Sequence, residues 1–180
     1  MILILYKGEN HLYKVPLITT LNEGLLMFTV SDIAEIIKRP EEEQRDAITR
    51  IRNWTKEGLL IPEGELNPGT GRARLYSAAS VENAALLQFL TDAAGMKAVA
   101  VAPQLEDARK ELEAARKHLK KPGAEPFFLI MIRSLGDRDW QMVSSPRSKI
   151  PLIMERRSAD AYSMINLGTL IDRVGAKGGK

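Results

Sequence analysis

Thr49, Arg52, Asn53 and Lys56 fall at i, i+3, i+4 and i+7 within the stretch "ITRIRNWTK". On a helix, where successive residues advance by about 100 degrees, they form one stripe. The stripe carries a hydroxyl, a guanidinium, an amide and an ammonium. All four donate to phosphate oxygens, and arginine and asparagine also pair bidentately with guanine and adenine edges in a major groove. Taken alone, the same composition suits the solvated face of any helix. A second basic feature follows in "NPGTGRARLYS", where Pro68 and Gly69 turn the chain ahead of Arg72 and Arg74. Alternate residues of a strand project to one face, so both guanidiniums would meet the same phosphates or minor groove. Gly69 and Gly71 let the backbone come close where a side chain would clash.

Other chemistries are poorly served. The chain has no cysteine, which removes disulfides, thiolate metal sites and thiol redox switches. Its two histidines, His11 and His118, are far apart, and neither has a serine or acid at a catalytic spacing. There is no glycine-rich phosphate loop ending in Lys-Ser/Thr. We therefore expect no enzyme, no catalytic residue, no metal and no cofactor. The apolar runs "MILILY" and "FFLIMI" are too short to cross a bilayer, and the N-terminus lacks the flanks of a signal peptide. A cytoplasmic protein without membrane contact is the expectation.

The elements that must position the two basic features read as follows. Residues 1–26 form a weakly defined extension that opens on a strand-like run, and Met27 is a second candidate for the start of translation. "TVSDIAEIIKRP" reads as a helix capped by Ser31 and stopped by Pro40, with Ile33, Ala34, Ile36 and Ile37 buried. "EEEQRDAITRIRNWTKEGLL" opens on glutamates that suit the positive end of a helix dipole and closes on Gly58. Its apolar side is Ala47, Ile48, Ile51 and Trp54. The stretch from Ile61 to Ser77 is hairpin material. Ser77 or Ser80 then caps a third helix, with Val81, Ala84, Ala85, Leu87 and Leu90 on one face and Gly95 at its end.

A helix over 102–121 follows, started by Pro103 and stopped by Pro122-Gly123. Leu105, Leu112 and Leu119 recur every seven residues with Ala108 and Ala115 between them, the pattern of a dimerisation seam. The same pattern fits a single amphipathic helix lying on its own domain. Over 124–175 the pattern turns partly to strands: a hairpin turning at Gly136 and Asp137, then "PLIMERRSADAYSMINLGTLIDRV" as a strand followed by a short helix. Residues 176–180 read as a flexible tail.

A helix, a turn, a polar-faced helix and a glycine-turned hairpin are the order of a winged helix-turn-helix, whose second helix enters the major groove while the wing reaches the flanking backbone. "RIRNWTKEGLLIP" and "GRARLYS" resemble the DNA-binding domain of MerR-type transcription regulators. The shared features fall on Arg52, Trp54, Gly58, Leu59, Leu60, Arg72, Arg74 and Tyr76, within roughly Phe28 to Met96. The resemblance implies a homodimer on palindromic double-stranded DNA at a promoter, with RNA polymerase as a further partner. It implies DNA contact by Arg52, packing of the helix against the wing by Trp54 and Tyr76, and dimerisation through the helix at 102–121. The chain departs from the family in a longer turn, "KRPEEEQRDA", and in Asn53, where an aromatic is common.

The fold expectation is thus α+β: a winged helix-turn-helix domain over 27–96, a central dimerisation helix, and a small β-containing C-terminal region. The DNA surface would comprise Thr49, Arg52, Asn53, Lys56, Arg72, Arg74 and Tyr76. Charge restrains this reading. From Met27 to Ser77 there are eight Lys and Arg against nine Asp and Glu, so Glu41 to Glu43 would have to face away from the duplex. Arg147, Lys149, Arg156 and Arg157 would add non-specific attraction or serve as solvated loop charges. Two other functions fit the same elements: an excisionase-like protein that bends DNA, and a protein-interaction module that does not touch DNA.

Overall fold

Thr29 caps the first helix, α1 (Val30–Ile37), in the computed structural model, which describes residues 2–3, 26–64, 73–134, 140–157 and 159–178. Its hydroxyl accepts from the Asp32 amide at 3.3 Å, and the Asp32 carboxylate accepts from the Thr29 amide at 2.8 Å. This reciprocal capping box starts two residues ahead of Ser31, the expected cap, which instead sits exposed in the first turn. The helix ends at Ile37, with Lys38 extended, because Pro40 disfavours helical geometry in the residue before it. Ile33, Ala34, Ile36 and Ile37 face α2 (Gln44–Lys56) and α3 (Ala78–Ala94).

Two short strands brace this pair. Ile2–Leu3 (β1) belongs to a larger sheet described below, while β2 (Met27–Thr29) runs antiparallel to β3 (Leu75–Ser77). Phe28 lies opposite Tyr76, and both are fully buried. The Glu63 amide donates to the Leu75 carbonyl at 2.8 Å, which closes the base of the loop leading into β3. The tip of that loop, with Gly69, Gly71 and Arg72, lies outside the described residues.

Ser77 caps α3, accepting from the Ser80 amide at 3.4 Å. Gly95 ends α3 in the left-handed region at φ 64°, where a Cβ would be strained. The expected helix over 102–121 differs at its start. A short helix, α4 (Ala98–Val101), and a 3-10 turn at Ala102–Gln104 precede α5 (Leu105–Leu119). This helical run lies at 100° to α3. No single helix among the described residues is long and apolar enough to cross a membrane.

The C-terminal part is a four-stranded antiparallel sheet ordered β1-β6-β4-β5, formed with β4 (Phe127–Ser134), β5 (Gln141–Pro146) and β6 (Ala159–Asn166). Strand alternation explains the unbroken "FFLIMI" run, because both faces of β4 are covered. Phe127, Leu129 and Met131 enter the main core, whereas Ile130 and Ile132 join Met164 under α6 (Ile150–Arg157). The stretch expected as a strand followed by a short helix thus opens on a helix that was not expected, at "PLIMERR", before the strand β6 and the last helix. Pro151 suits the first turn of α6, and a short apolar run fits either structure by pattern alone. The last helix, α7 (Leu167–Gly178), is capped by Asn166, whose Oδ1 accepts from the Thr169 amide at 3.1 Å. It carries helix through residues 176–178 of the expected tail. Leu170 and Val174 are buried, and Lys177 pairs with Glu35 of α1, so tertiary contacts override the poor helix propensity of the glycines. The expected hairpin turn at Gly136 and Asp137 lies outside the described residues.

One continuous core joins the N-terminal helices to one face of this sheet, while the cluster under α6 is separate. The continuous core runs from Phe28, Ile51 and Trp54 through α3 and α5 to Leu129, Ile165 and Leu170. The division into a 27–96 domain and a separate 124–175 region is thus not matched by a division of the core. The heptad seam belongs to it as well: Leu105, Ala108, Leu112 and Ala115 are buried within the single chain. Leu119 is half-buried, with its Cδ1 3.3 Å from where a Cβ on Gly168 would stand. This is the packing of an amphipathic helix on its own domain, the other reading open to the pattern. Burying one leucine in this way contributes roughly 1.5–3 kcal/mol.

Candidate nucleic-acid interface

The helix that carries the polar stripe is fixed at its C-terminus and along its inner side. Ala47, Ile51 and Trp54 are buried, as periodicity requires. At its C-terminus the Leu59 amide donates to the Trp54 carbonyl at 2.8 Å and the Gly58 amide to the Thr55 carbonyl at 3.2 Å. These two bonds make a Schellman motif, with Gly58 left-handed at φ 73° and Leu60 returned to the core at 2% exposure. The "EGLL" exit thus has a geometric reason.

Thr55 links helix and strand. It is buried, and its hydroxyl donates to the Ile51 carbonyl at 3.0 Å and lies 2.8 Å from the Tyr76 hydroxyl. With the Thr55 proton committed to Ile51, the Tyr76 hydroxyl is the donor between the two side chains. Tyr76 is 0% exposed. Its place on the expected DNA surface is therefore corrected: no duplex can touch a fully buried ring, and Tyr76 acts as a brace between α2 and β3. Thr55 itself was missed in the sequence, because a threonine one position from Trp54 carries no sign of its partner.

The outer side of α2 is open. Thr49, Arg52, Asn53 and Lys56 are all exposed and adjacent on one face. The Thr49 hydroxyl donates to the Arg45 carbonyl at 2.9 Å, which leaves its lone pairs outward. No hydrogen bond or ion pair to another described residue occupies the side chain of Arg52, Asn53 or Lys56. Arg74 is half-buried and engaged within the chain, whereas Arg72 lies outside the described residues. The structure therefore brings four of the seven expected residues onto one exposed face.

A cleft of about 410 Å³ runs along this helix. Thr49 and Asn53 line one wall, and Lys97 from the α3–α4 turn and Val99 of α4 line the other. Lys97 is exposed, a cation beside the stripe that lies 41 positions from Lys56 in the chain. Sequence periodicity on α2 gave no means of finding it. Asp46 and Glu57 also border the cleft, so its potential is mixed. Of the three glutamates expected to face away, Glu41 and Glu43 are exposed, and Glu42 turns inward to pair with Arg50.

No curated protein sequence matches the chain. Residues 47–107 match the family model described as MerR HTH family regulatory protein. The match begins inside α2 and ends inside α5, so it takes in the stripe, the β3 strand, all of α3 and Lys97. The turn at residues 38–43 lies just upstream of it. Over residues 47–107, then, the chain is similar to MerR-type helix-turn-helix regulatory proteins.

Proposed function

We propose that the chain is a sequence-specific DNA-binding transcription regulator that places α2 in the major groove. The observation that carries this reading is the exposed stripe of Thr49, Arg52, Asn53 and Lys56, with Thr49 bonded only to its own helix, on a helix whose opposite face is locked into the core. A rigid helix presenting donors outward suits base-edge contact, and Arg52 and Asn53 have the side chains that read guanine and adenine. Lys56 on the stripe and Lys97 at the cleft would neutralise phosphates, and Arg72 and Arg74 would approach the flanking backbone. Tyr76 and Thr55 contribute by holding β3 to the helix.

A homodimer on a palindrome and contact with RNA polymerase belong to the same proposal. The dimer surface would not be the Leu105–Leu119 seam as it stands, because the chain's own core occupies it. The test is a selection of bound fragments from random duplex DNA. A recovered consensus supports the reading, and its two-fold symmetry would support the dimer. Recovery of no sequence, with binding insensitive to salt, opposes it. A bending assay on the recovered fragment, paired with a promoter reporter, separates a regulator from an architectural protein.

A second reading, a protein-interaction module, draws on the near-neutral charge of residues 27–77 and on exposed Met27, Ile61 and Leu75 around the small sheet. It requires a partner whose binding does not weaken steeply with salt.

A further inference from the structure

The turn between α1 and α2 is held by a chain of polar side chains for which DNA contact gives no account. On α3, the side-chain amide of buried Gln88 donates to Asp92 Oδ2 at 2.5 Å. Asp92 also receives Arg39, Nη2 to Oδ1 at 2.5 Å and Nε to Oδ2 at 3.4 Å. The Arg39 amide donates to Glu42 Oε2 at 3.0 Å, and the Glu42 amide donates back to the Arg39 carbonyl at 3.1 Å. Glu42 then takes the guanidinium of Arg50 as a fork, Nη2 to Oε2 at 2.9 Å and Nη1 to Oε1. Arg50 stands on α2, its Cζ 5.5 Å from the Trp54 ring centroid.

The Glu42–Arg50 pair is mostly withdrawn from water, with side chains 10% and 16% exposed. Such a pair adds little net stability over apolar groups, but a bidentate fork is demanding in geometry. Arg50 lies at the border between the stripe and the buried side of α2, next to Thr49 and Ile51. Its position therefore sets the rotation of α2 about its own axis. The turn between α1 and α2 is what supplies Arg39 and Glu42.

We propose that Glu42 is a positioning residue for DNA binding: it fixes α2 through Arg50 so that the stripe meets the groove, without touching the duplex itself. This rests on the DNA-binding reading, and it makes an expectation of unusual sign. Neutralising an acid in a helix-turn-helix module should strengthen attraction to phosphate if charge alone matters. If Glu42 sets the helix, the same change weakens binding.

The experiment uses the full chain and its selected duplex, with Glu42→Gln as the variant. Trp140→Phe leaves Trp54 as the single tryptophan reporter in both proteins. Affinity should fall on the order of tenfold, the scale of one lost base contact, while the slope of log affinity against log salt stays unchanged because no phosphate contact is removed. Trp54 emission should shift in the absence of DNA, as the Arg50 guanidinium loses its anchor. Unchanged or tighter binding by Glu42→Gln overturns the proposal. If that variant fails to fold, Arg39→Lys, at a side chain 48% exposed, should weaken binding in the same direction, and unchanged affinity there overturns it. Should the wild type bind no duplex at all, the DNA reading itself has failed, and the Trp54 emission still decides whether Glu42 sets α2.

Discussion

Replacing Thr55 with valine and Tyr76 with phenylalanine should have unequal costs, although each change removes one end of the same 2.8 Å contact. Thr55 donates to the Ile51 carbonyl, so the tyrosine hydroxyl donates to Thr55. In Tyr76→Phe the threonine keeps its proton engaged and loses only an accepted bond, worth about 0.5–1.5 kcal/mol. In Thr55→Val the tyrosine hydroxyl, on a ring with 0% exposure, is left buried without an acceptor, which costs about 1–3 kcal/mol. The Ile51 carbonyl keeps its helical partner and changes little. The double variant removes both polar ends, so it should be less destabilised than the sum of the two single changes, by about 0.5 kcal/mol or more. For a chain of 180 residues each kcal/mol moves the melting temperature by about 2–4 °C, so thermal unfolding of the four proteins resolves the cycle. Equal losses, or strict additivity, would refute the assignment of donor and acceptor. Both single variants should also bind DNA more weakly, because the brace holds β3 against the recognition helix.

Leu112→Ala should cost about 2–5 kcal/mol of stability, as for a cavity in a packed core, and leave the oligomeric state unchanged in sedimentation. Dissociation of a dimer with little loss of monomer stability would show that the seam serves a partner. Acid should destabilise the helix-turn-helix. The side-chain and backbone hydrogen bonds between Thr29 and Asp32 hold that carboxyl below its ordinary value of 3.8. At Glu42 burial opposes ionisation, but the bonds from Arg50 and the Arg39 amide outweigh it and hold the group below 4.5. In both cases the folded value lies under the unfolded one. The stabilisation is therefore complete above these ordinary values and is lost as pH falls below them through the lower folded values. Melting temperature followed from about pH 6 to about pH 3 should drop, and Asp32→Asn should make the drop shallower; a parallel curve would contradict it.

Residue types and spacing carried the local parts of this fold further than the long-range ones. The stripe on α2 was legible because period 3.6 separates Thr49, Arg52, Asn53 and Lys56 from Ala47, Ile51 and Trp54 without further information. Gly58 and Gly95 were legible because left-handed ends select glycine. The seam on α5 was ambiguous in principle, since leucines and alanines at heptad spacing pack equally well on a second copy or on α3, β4 and α7. The Thr29 cap was displaced by a box closed with aspartate in place of glutamate. Helix at "PLIMERR", the role of Thr55 and the nearness of Lys97 depend on tertiary neighbours that no local window contains. Tyr76 was misplaced for a related reason: tyrosine suits either a wet interface or a buried brace, and only its opposition to Phe28 decides.

The central claim is that the outward side chains of α2 contact a duplex, and the salt dependence of binding by the wild type, Arg52→Ala and Lys56→Ala tests it most directly. Wild-type affinity for the selected fragment should fall linearly on logarithmic axes as salt rises. Lys56→Ala should flatten that slope by about 1, and Arg52→Ala should cost about 1–3 kcal/mol and relax the preference at one base pair. Wild-type binding indifferent to salt, or both variants matching the wild type in affinity and slope, would contradict it.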